Sequence, residues 1–411
     1  MIRRTIPLTA AAAVFGISGY VINVALARRL GPDDYGSIGL VLSILSLANV
    51  VQASGVPIVV SRLVARDESR GGSIASVGSR TQLLVSTALA VVILTLSPAL
   101  ERGFDQDRLT TYLIIGVLML PGFGAMAVSG GYWNGTHRFG RQAMVTIAYA
   151  LSKLVLIIPL AHLWGIVGAI IGYAAAPFAA ALVGRAGIPV AVRSDQPLDL
   201  LRPSLPLAAA AMTTLAMYSV DLYVVSASEA TRDRIGYYVA AQTIALIPLT
   251  AASSFGQVAV PTVARLLSRA EPAVAVRAVR EGLVQLLMVL VPACALLTIL
   301  SPMVVRVLFG SEYAPANTPT RILVCAYGVV AVFSYLSSCI AGSGRVRGAV
   351  IGSLCGAAIA AGGGAILVVS HGLVGAAGAL AIGALAASVI GWLALRAVIA
   401  QGHTSALTPA P

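Results

Sequence analysis

The stretch QAMVTIAYALSKLVLIIPLAHLWGIVGAIIGYAAAPFAAALVG, residues 142–184, decides the fold class of this chain. Its apolar runs are uninterrupted, and Lys153 is the one charged side chain within it. A helix needs about 20 apolar residues to cross the hydrocarbon core of a bilayer, so this stretch is long enough for two crossings. Backbone groups cannot stay unpaired in lipid, and the runs do not alternate as barrel strands do. Both crossings are therefore predicted to be helices.

The composition of the whole chain extends this conclusion. Of 411 residues, 58% are hydrophobic and 10% are charged, whereas soluble domains carry roughly 25% charged residues. Further apolar runs of membrane-spanning length give about twelve predicted spans. They cover residues 5–27, 37–61, 80–100, 109–133, 142–162, 164–184, 204–226, 235–261, 282–305, 318–341, 347–370 and 372–396. The chain is predicted to be an all-α polytopic membrane protein.

The net charge of +12 follows the predicted topology. With the N-terminus inside, most of the arginines fall on the cytoplasmic side, chiefly in the loops 62–80, 185–203 and 262–281. This is the positive-inside bias of a cell (inner) membrane protein, and it also places the C-terminus in the cytoplasm. No soluble basic domain exists to bind nucleic acid. Attraction to anionic lipid headgroups remains open as a second meaning of the charge.

An internal repeat indicates two lobes. Residues 165–169, GIVGA, recur as residues 372–376, GLVGA, and at the same separation 135–138 match 342–345. Near the start of each half, residues 20–23 line up with 218–221, and Tyr35 then stands opposite Ile235. Because each half holds six spans, the halves are parallel repeats, and we predict two pseudo-symmetric six-helix lobes around a central cavity. The predicted divisions are an N-terminal lobe, a C-terminal lobe and a disordered cytoplasmic tail, at 1–190, 191–400 and 401–411.

The sequence lacks the residues that several classes of chemistry require. Lys153 is the only lysine and follows Ser152 rather than glycine, which excludes a P-loop. The cysteines lie within predicted spans without the spacing of a zinc or redox site, and the histidines stand apart. No segment outside the membrane exceeds about 20 residues, too few for a catalytic domain. We therefore expect no catalytic residues, cofactor or metal, and a transporter rather than an enzyme.

Lys153 is the first candidate functional residue. It lies about 18 Å along the helix from Arg141, near the predicted bilayer centre. An unpaired charge at that depth costs at least roughly 3 kcal/mol, so the ammonium should face a hydrated cavity or a partner. Tyr149 precedes it by one helical turn and shares its face.

Asp221 is the one acid inside a predicted span, with Tyr218 one turn before it. Its repeat counterpart is the neutral Asn23, with Tyr20 one turn before. Two interpretations of Asp221 stay open. One is a coupling site for a proton or sodium, and the other is an ion pair or polar contact that fixes lobe packing.

A family resemblance adds to these patterns. Residues 27–36, ARRLGPDDYG, resemble the loop after the first helix of Wzx-type polysaccharide flippases, which belong to the multidrug/oligosaccharidyl-lipid/polysaccharide (MOP) exporter superfamily. Similar matches are residues 218–221 leading into 236–238, Pro261 at the end of the eighth span, and residues 308–313, LFGSEY. The resemblance runs from about residue 5 to 396. It implies a twelve-helix, two-lobed flippase that moves an isoprenoid-pyrophosphate-linked oligosaccharide from the inner to the outer leaflet by alternating access, for cell-surface polysaccharide biosynthesis.

The resemblance also suggests roles and partners. Multidrug exporters of the same superfamily typically place an acid in their N-terminal lobe, where this chain has Asn23. Lys153 suits an anionic pyrophosphate instead, with Tyr149, Asn23 and Tyr20 along the same substrate path. Expected partners are the lipid-linked oligosaccharide, membrane lipids, and glycosyltransferases or a polymerase of the same pathway. Two alternatives remain: a cation-coupled, MATE-like exporter of small molecules that uses Asp221, and a non-transporting membrane scaffold for glycosyltransferases.

Overall fold

A computed structural model describes residues 2–189, 199–228, 232–269, 271–343 and 347–405. Within these ranges the chain is helical, with short loops and no β-strand. The helices are α1 (Ile2–Ser54), α2 (Val56–Arg66), α3 (Gly71–Phe104), α4 (Leu109–Gly116), α5 (Met119–Gly135), α6 (Phe139–Arg185), α7 (Leu201–Ser228), α8 (Arg232–Ser268), α9 (Pro272–Leu308), α10 (Asn317–Gly342) and α11 (Arg347–Ser405). Short 3₁₀ turns at Glu68–Arg70 and Ser311–Ala316 precede α3 and α10.

Three glycines divide the longest helices. Across the described ranges, nine helical segments are long and apolar enough to cross a membrane. Gly31 in α1, Gly165 in α6 and Gly372 in α11 leave helical geometry inside three of them, with φ of 76°, 59° and 56°. The three divided segments have 60, 47 and 51 residues, so each is long enough to cross the bilayer twice. The predicted all-α fold of about twelve crossings is confirmed.

The described helices form two compact units, Met1–Met212 and Thr213–Pro411. This division falls inside α7, whereas the predicted boundary at 190/191 lies outside the described residues. Gly165 and Gly372 have nearly the same backbone angles, with ψ of −138° and −140°, at corresponding places in the two units. Helix α11 continues to Ser405, through the first part of the predicted tail at 401–411. Residues 406–411 lie outside the described part.

In the N-terminal unit, α2 and α5 pack at close range. A Cβ on Gly131 would stand 2.4 Å from the Pro57 carbonyl oxygen, so only a glycine allows the two backbones to approach this closely. At the end of α5, the indole Nε1 of Trp133 donates a hydrogen bond of 2.8 Å to the Gly184 carbonyl on α6. These contacts fix three helices that surround the pocket described below.

In the C-terminal unit, α10 lies in the centre and packs against α8, α9 and α11. Its buried side chains include Tyr335, whose hydroxyl donates a hydrogen bond of 3.0 Å to the Val279 carbonyl on α9. Tyr327, also on α10, is fully buried and contacts residues of α7 and α8. Helix α10 therefore positions the polar cluster around Asp221.

Candidate functional site

The N-terminal unit contains a pocket of about 540 Å³ bounded by α1, α2, α5 and α6. A volume of roughly 300–1,000 Å³ is typical of small-ligand sites. Arg62 is the charged side chain among its described lining residues, and no acid is among them. The other polar lining residues are Ser61, Asn134, Gln142, Thr146 and Tyr149, and the aromatic ones are Phe15, Phe123 and Tyr149.

The pocket has a polar end and an aromatic end. Helices α5 and α6 are joined by a short turn, so Asn134 and Gln142 lie at the end nearest this turn, and a Cβ on Gly135 would stand 2.6 Å from the Ser61 carbonyl beside Arg62. Tyr149 lies about 10 Å deeper along α6 than Gln142. Its ring meets Phe123 edge-on, with 6.1 Å between ring centroids. The cation therefore stands at the polar end and the aromatic rings at depth.

Lys153 lies behind the aromatic end. Its Nζ stands 4.2 Å from the centroid of the Phe15 ring and 5.1 Å from that of Tyr149, and the residue is only 7% exposed. The two rings are stacked at 5.9 Å with 25° between their planes. Among the described residues no carboxylate pairs with Lys153. The buried ammonium is therefore paired with the faces of the Phe15 and Tyr149 rings, which attract cations through their quadrupole.

The residues predicted to lie on the substrate path do not all line this pocket. Tyr149 lines the pocket, whereas Lys153, Asn23 and Tyr20 are not among its lining residues. Asn23 is half-buried, and its Oδ1 accepts a hydrogen bond of 3.1 Å from the Tyr35 hydroxyl. This bond joins the two arms of α1 across the Gly31 kink. Tyr20 is half-buried one turn before Asn23.

Asp221 belongs to a buried network in the C-terminal unit. The residue is 1% exposed, and its Oδ2 accepts a hydrogen bond of 2.9 Å from the Tyr238 hydroxyl. Gln242 Nε2 stands 3.4 Å from its Oδ1 and 2.7 Å from the Tyr327 hydroxyl. The Tyr327 hydroxyl in turn donates to the Tyr218 carbonyl at 2.8 Å. The network joins α7, α8 and α10.

The same tyrosine bond occurs in both units. Tyr35 donates to Asn23 as Tyr238 donates to Asp221, so the counterpart of Tyr35 by contact is Tyr238, not Ile235 as the sequence alignment had it. The shift reflects the length of chain between the bonded residues, since Tyr35 follows Asn23 by 12 positions and Tyr238 follows Asp221 by 17. The two units therefore share a geometry but differ in the charge of the acceptor.

Comparison with known proteins gives the family. A family model described as polysaccharide biosynthesis protein matches residues 25–318, which is most of the chain. The chain belongs to this polysaccharide biosynthesis family. With nine segments in its described ranges long and apolar enough to cross a membrane, it is a multi-pass membrane protein, as the sequence predicted.

Individual relatives of this family member are distant. Stage V sporulation protein B of Bacillus subtilis (strain 168) is 24% identical over 162 residues, which are 38% of this chain and 31% of that protein. The match thus spans under a third of the curated relative. Among solved structures, an inward-facing multidrug resistance MATE family transporter of the MOP superfamily matches with a TM-score of 0.79 and 16% identity, over 94% of this chain and 95% of the other. The lipid II flippase MurJ, in an inward closed conformation, matches with 0.78 and 14%, over 99% and 91%. These likenesses show the fold.

Of the pocket's lining residues, only Tyr149 was predicted from the sequence, and Phe15, Phe123, Arg62 and Gln142 were not. Phe15 and Phe123 carried no signal, because single aromatic residues in apolar helices are ordinary packing residues. Arg62 was counted among the arginines that set topology, and a charge at a span end does not reveal which way it points. Tyr238 lay within a motif already noted, and the repeated bond to Asn23 or Asp221 explains its place there.

Proposed function

We propose that this protein moves an isoprenoid-pyrophosphate-linked oligosaccharide from the inner to the outer leaflet by alternating access, for cell-surface polysaccharide biosynthesis. The observation that supports it best is the cationic pocket of the N-terminal unit. Arg62 lines it, Lys153 lies behind its rings, and the part of the chain that the structure describes contributes no acid to it. A pocket that binds a cationic cargo would be favoured by the opposite charge.

The pocket chemistry suits a pyrophosphate. A guanidinium offers several donors in a planar fork that matches phosphate oxygens, and charge-assisted bonds of this kind are stronger than neutral ones. Arg62 is exposed, so it can reach such a group. Lys153 contributes positive potential across a medium of low dielectric constant without itself reaching the pocket surface.

The family supports the same cargo class. Its description names polysaccharide biosynthesis, and a lipid II flippase shares the fold of this chain. A lipid-linked saccharide is both a precursor for polysaccharide biosynthesis and a lipid that a flippase could move. The isoprenoid tail would remain in the bilayer while the polar head crosses through the protein.

Flipping by purified protein in reconstituted vesicles tests this proposal. An Arg62→Gln variant should lower the flipping rate of a pyrophosphate-linked oligosaccharide at least about tenfold, because it removes the direct donor to the phosphate. Lys153→Ala should also lower it, and Lys153→Arg should retain more activity than Lys153→Ala.

Arg66→Gln is the matched control, since Arg66 is an exposed arginine on the same helix that does not line the pocket. Equal rates for wild type, Arg62→Gln and Lys153→Ala would contradict the assigned site. In cells, deletion of the chain should leave lipid-linked repeat units on the inner leaflet, and their absence there would count against the cargo.

The Asp221 network bears on the cation-coupled alternative. The carboxylate is already bonded by Tyr238 and Gln242, and the neutral Asn23 takes the same place in the other unit. We therefore favour the packing role for Asp221 over ion coupling. Placement in the inner membrane with cytoplasmic termini, and association with glycosyltransferases or a polymerase, are further parts of this proposal.

A further inference from the structure

The aromatic end of the pocket has a surface that the phosphate site leaves unused. Phe15 lines the pocket and is 39% exposed, so part of its ring remains open to a ligand. A phosphate has no affinity for a π face, because the ring quadrupole presents negative potential to it. The C–H face of a sugar ring is apolar and slightly positive, and it packs on such a surface.

The Phe15 ring is held from behind. The Lys153 ammonium stands over it at 4.2 Å, and the Tyr149 ring stacks on it at 5.9 Å. Phe123 supports Tyr149 in turn. A ring fixed in this way loses little conformational entropy when a ligand stacks on it, which is the advantage of a preorganised site.

A second, independent feature lies on the same wall. The Oε1 of Gln142 is buried and has no hydrogen-bond donor among the described residues, although its side chain lines the pocket. A buried acceptor without a donor is unfavourable, and a turn of the Gln142 side chain toward the pocket would let a ligand supply the donor. The hydroxyl groups of a sugar are donors of this kind.

The two features lie at a useful separation. Gln142 and Tyr149 are about 10 Å apart along α6, with Arg62 at the Gln142 end. A pyrophosphate at Arg62 would leave the first sugar residues of the cargo alongside Gln142 and Phe15. The pocket volume of about 540 Å³ has room for such a group.

We propose that this pocket is a saccharide subsite in which the Phe15 ring stacks on a pyranose and Gln142 accepts one of its hydroxyl groups. Lys153 is then a positioning residue, which acts on the sugar through Phe15 and does not touch the phosphate. This inference rests on the proposed function and specifies which part of the cargo the protein reads.

Binding of two probes to the purified full-length chain tests the subsite. One probe is an isoprenyl pyrophosphate, and the other is the same molecule carrying a single N-acetylhexosamine. Wild type should bind the sugar-bearing probe about tenfold more tightly than the bare one. Phe15→Leu should abolish this difference while lowering affinity for the bare probe by a much smaller factor, and Phe15→Trp should preserve the difference.

Further variants separate the roles. Lys153→Met should reduce the sugar-dependent difference and weaken the bare probe less than Arg62→Gln does, through the loss of positive potential alone, whereas Arg62→Gln should weaken both probes by the same factor. Phe178→Leu is the matched control, because Phe178 is an exposed aromatic residue of α6 outside the pocket lining. Retention by Phe15→Trp shows that loss in Phe15→Leu is not misfolding.

The outcomes are distinct. If wild type binds both probes equally, or Phe15→Leu lowers both affinities alike, the saccharide subsite is wrong while the proposed cargo stands. If neither probe binds wild type, the proposed function itself fails. A Lys153→Met variant that loses the bare probe as completely as Arg62→Gln would return Lys153 to direct phosphate contact.

Discussion

A single buried charge can be foreseen from sequence, but its partner cannot. The depth of Lys153 follows from counting residues along one helix, and its contact with Tyr149 follows from their spacing of one turn. Phe15 lies on another helix, and nothing in the local sequence of either helix specifies which faces meet. The same holds for Tyr238 and Asp221, which only the fold brings together.

Replacement of Asp221 tests its packing role. In Asp221→Asn the side-chain oxygen can still accept from Tyr238, as Asn23 accepts from Tyr35, and only the long 3.4 Å contact with Gln242 is lost, so we expect a small change in stability. Asp221→Leu leaves the Tyr238 hydroxyl buried without an acceptor and should destabilise the protein by about 1–3 kcal/mol. Thermal unfolding in detergent measures both. Transport that loses its dependence on an ion gradient in Asp221→Asn would instead establish coupling.

At the level of the helices, crossing lengths were predictable because the bilayer sets them. Membrane thickness fixes about 20 residues per crossing, and apolar composition marks each one. The glycine kinks also agree with the predicted gaps between spans, because residues 27–37, 162–164 and 370–372 separate neighbouring spans and Gly31, Gly165 and Gly372 lie within or beside these gaps. The sequence did not show that helical hydrogen bonding continues on both sides of each kink, since propensity does not distinguish a kink from a loop.

The kink at Gly165 provides a test at this scale. Its φ of 59° and ψ of −138° lie in a region that is almost exclusive to glycine, and a Cβ there would meet no neighbour within 4 Å. Gly165→Ala should therefore cost about 1–3 kcal/mol through backbone strain alone. Gly140→Ala, in the regular part of the same helix and equally free of neighbours, should be neutral or slightly stabilising.

Unfolding of the two variants in the same detergent compares them directly. Equal stabilities would mean that the α6 kink is not fixed by the glycine conformation. Because Gly372 has nearly the same backbone angles, we expect Gly372→Ala to destabilise the C-terminal unit in the same way.

For the whole molecule, the repeat organises the charge as well as the fold. Corresponding kinks and corresponding tyrosine bonds show that the two units share one plan, although one carries a lysine and the other an aspartate within the membrane. At the position where the sequence repeat aligns Lys153, the C-terminal unit has the buried Ala360. Function is therefore expected to be unequal between units of similar architecture, with recognition of the anionic cargo in the N-terminal one.

The orientation of the chain in the membrane can be tested by labelling cysteines placed in two turns. Positive-inside bias places Ser69 in the cytoplasm and Ser311 outside, and both side chains lie in short turns between predicted membrane-spanning segments. In a background from which the native cysteines are removed, Ser311→Cys should react with a membrane-impermeant maleimide in intact spheroplasts. Ser69→Cys should react only after permeabilisation. The opposite pattern would invert the topology, and Arg62 would then stand at the external end of its pocket, where it could release cargo but not receive it from the inner leaflet.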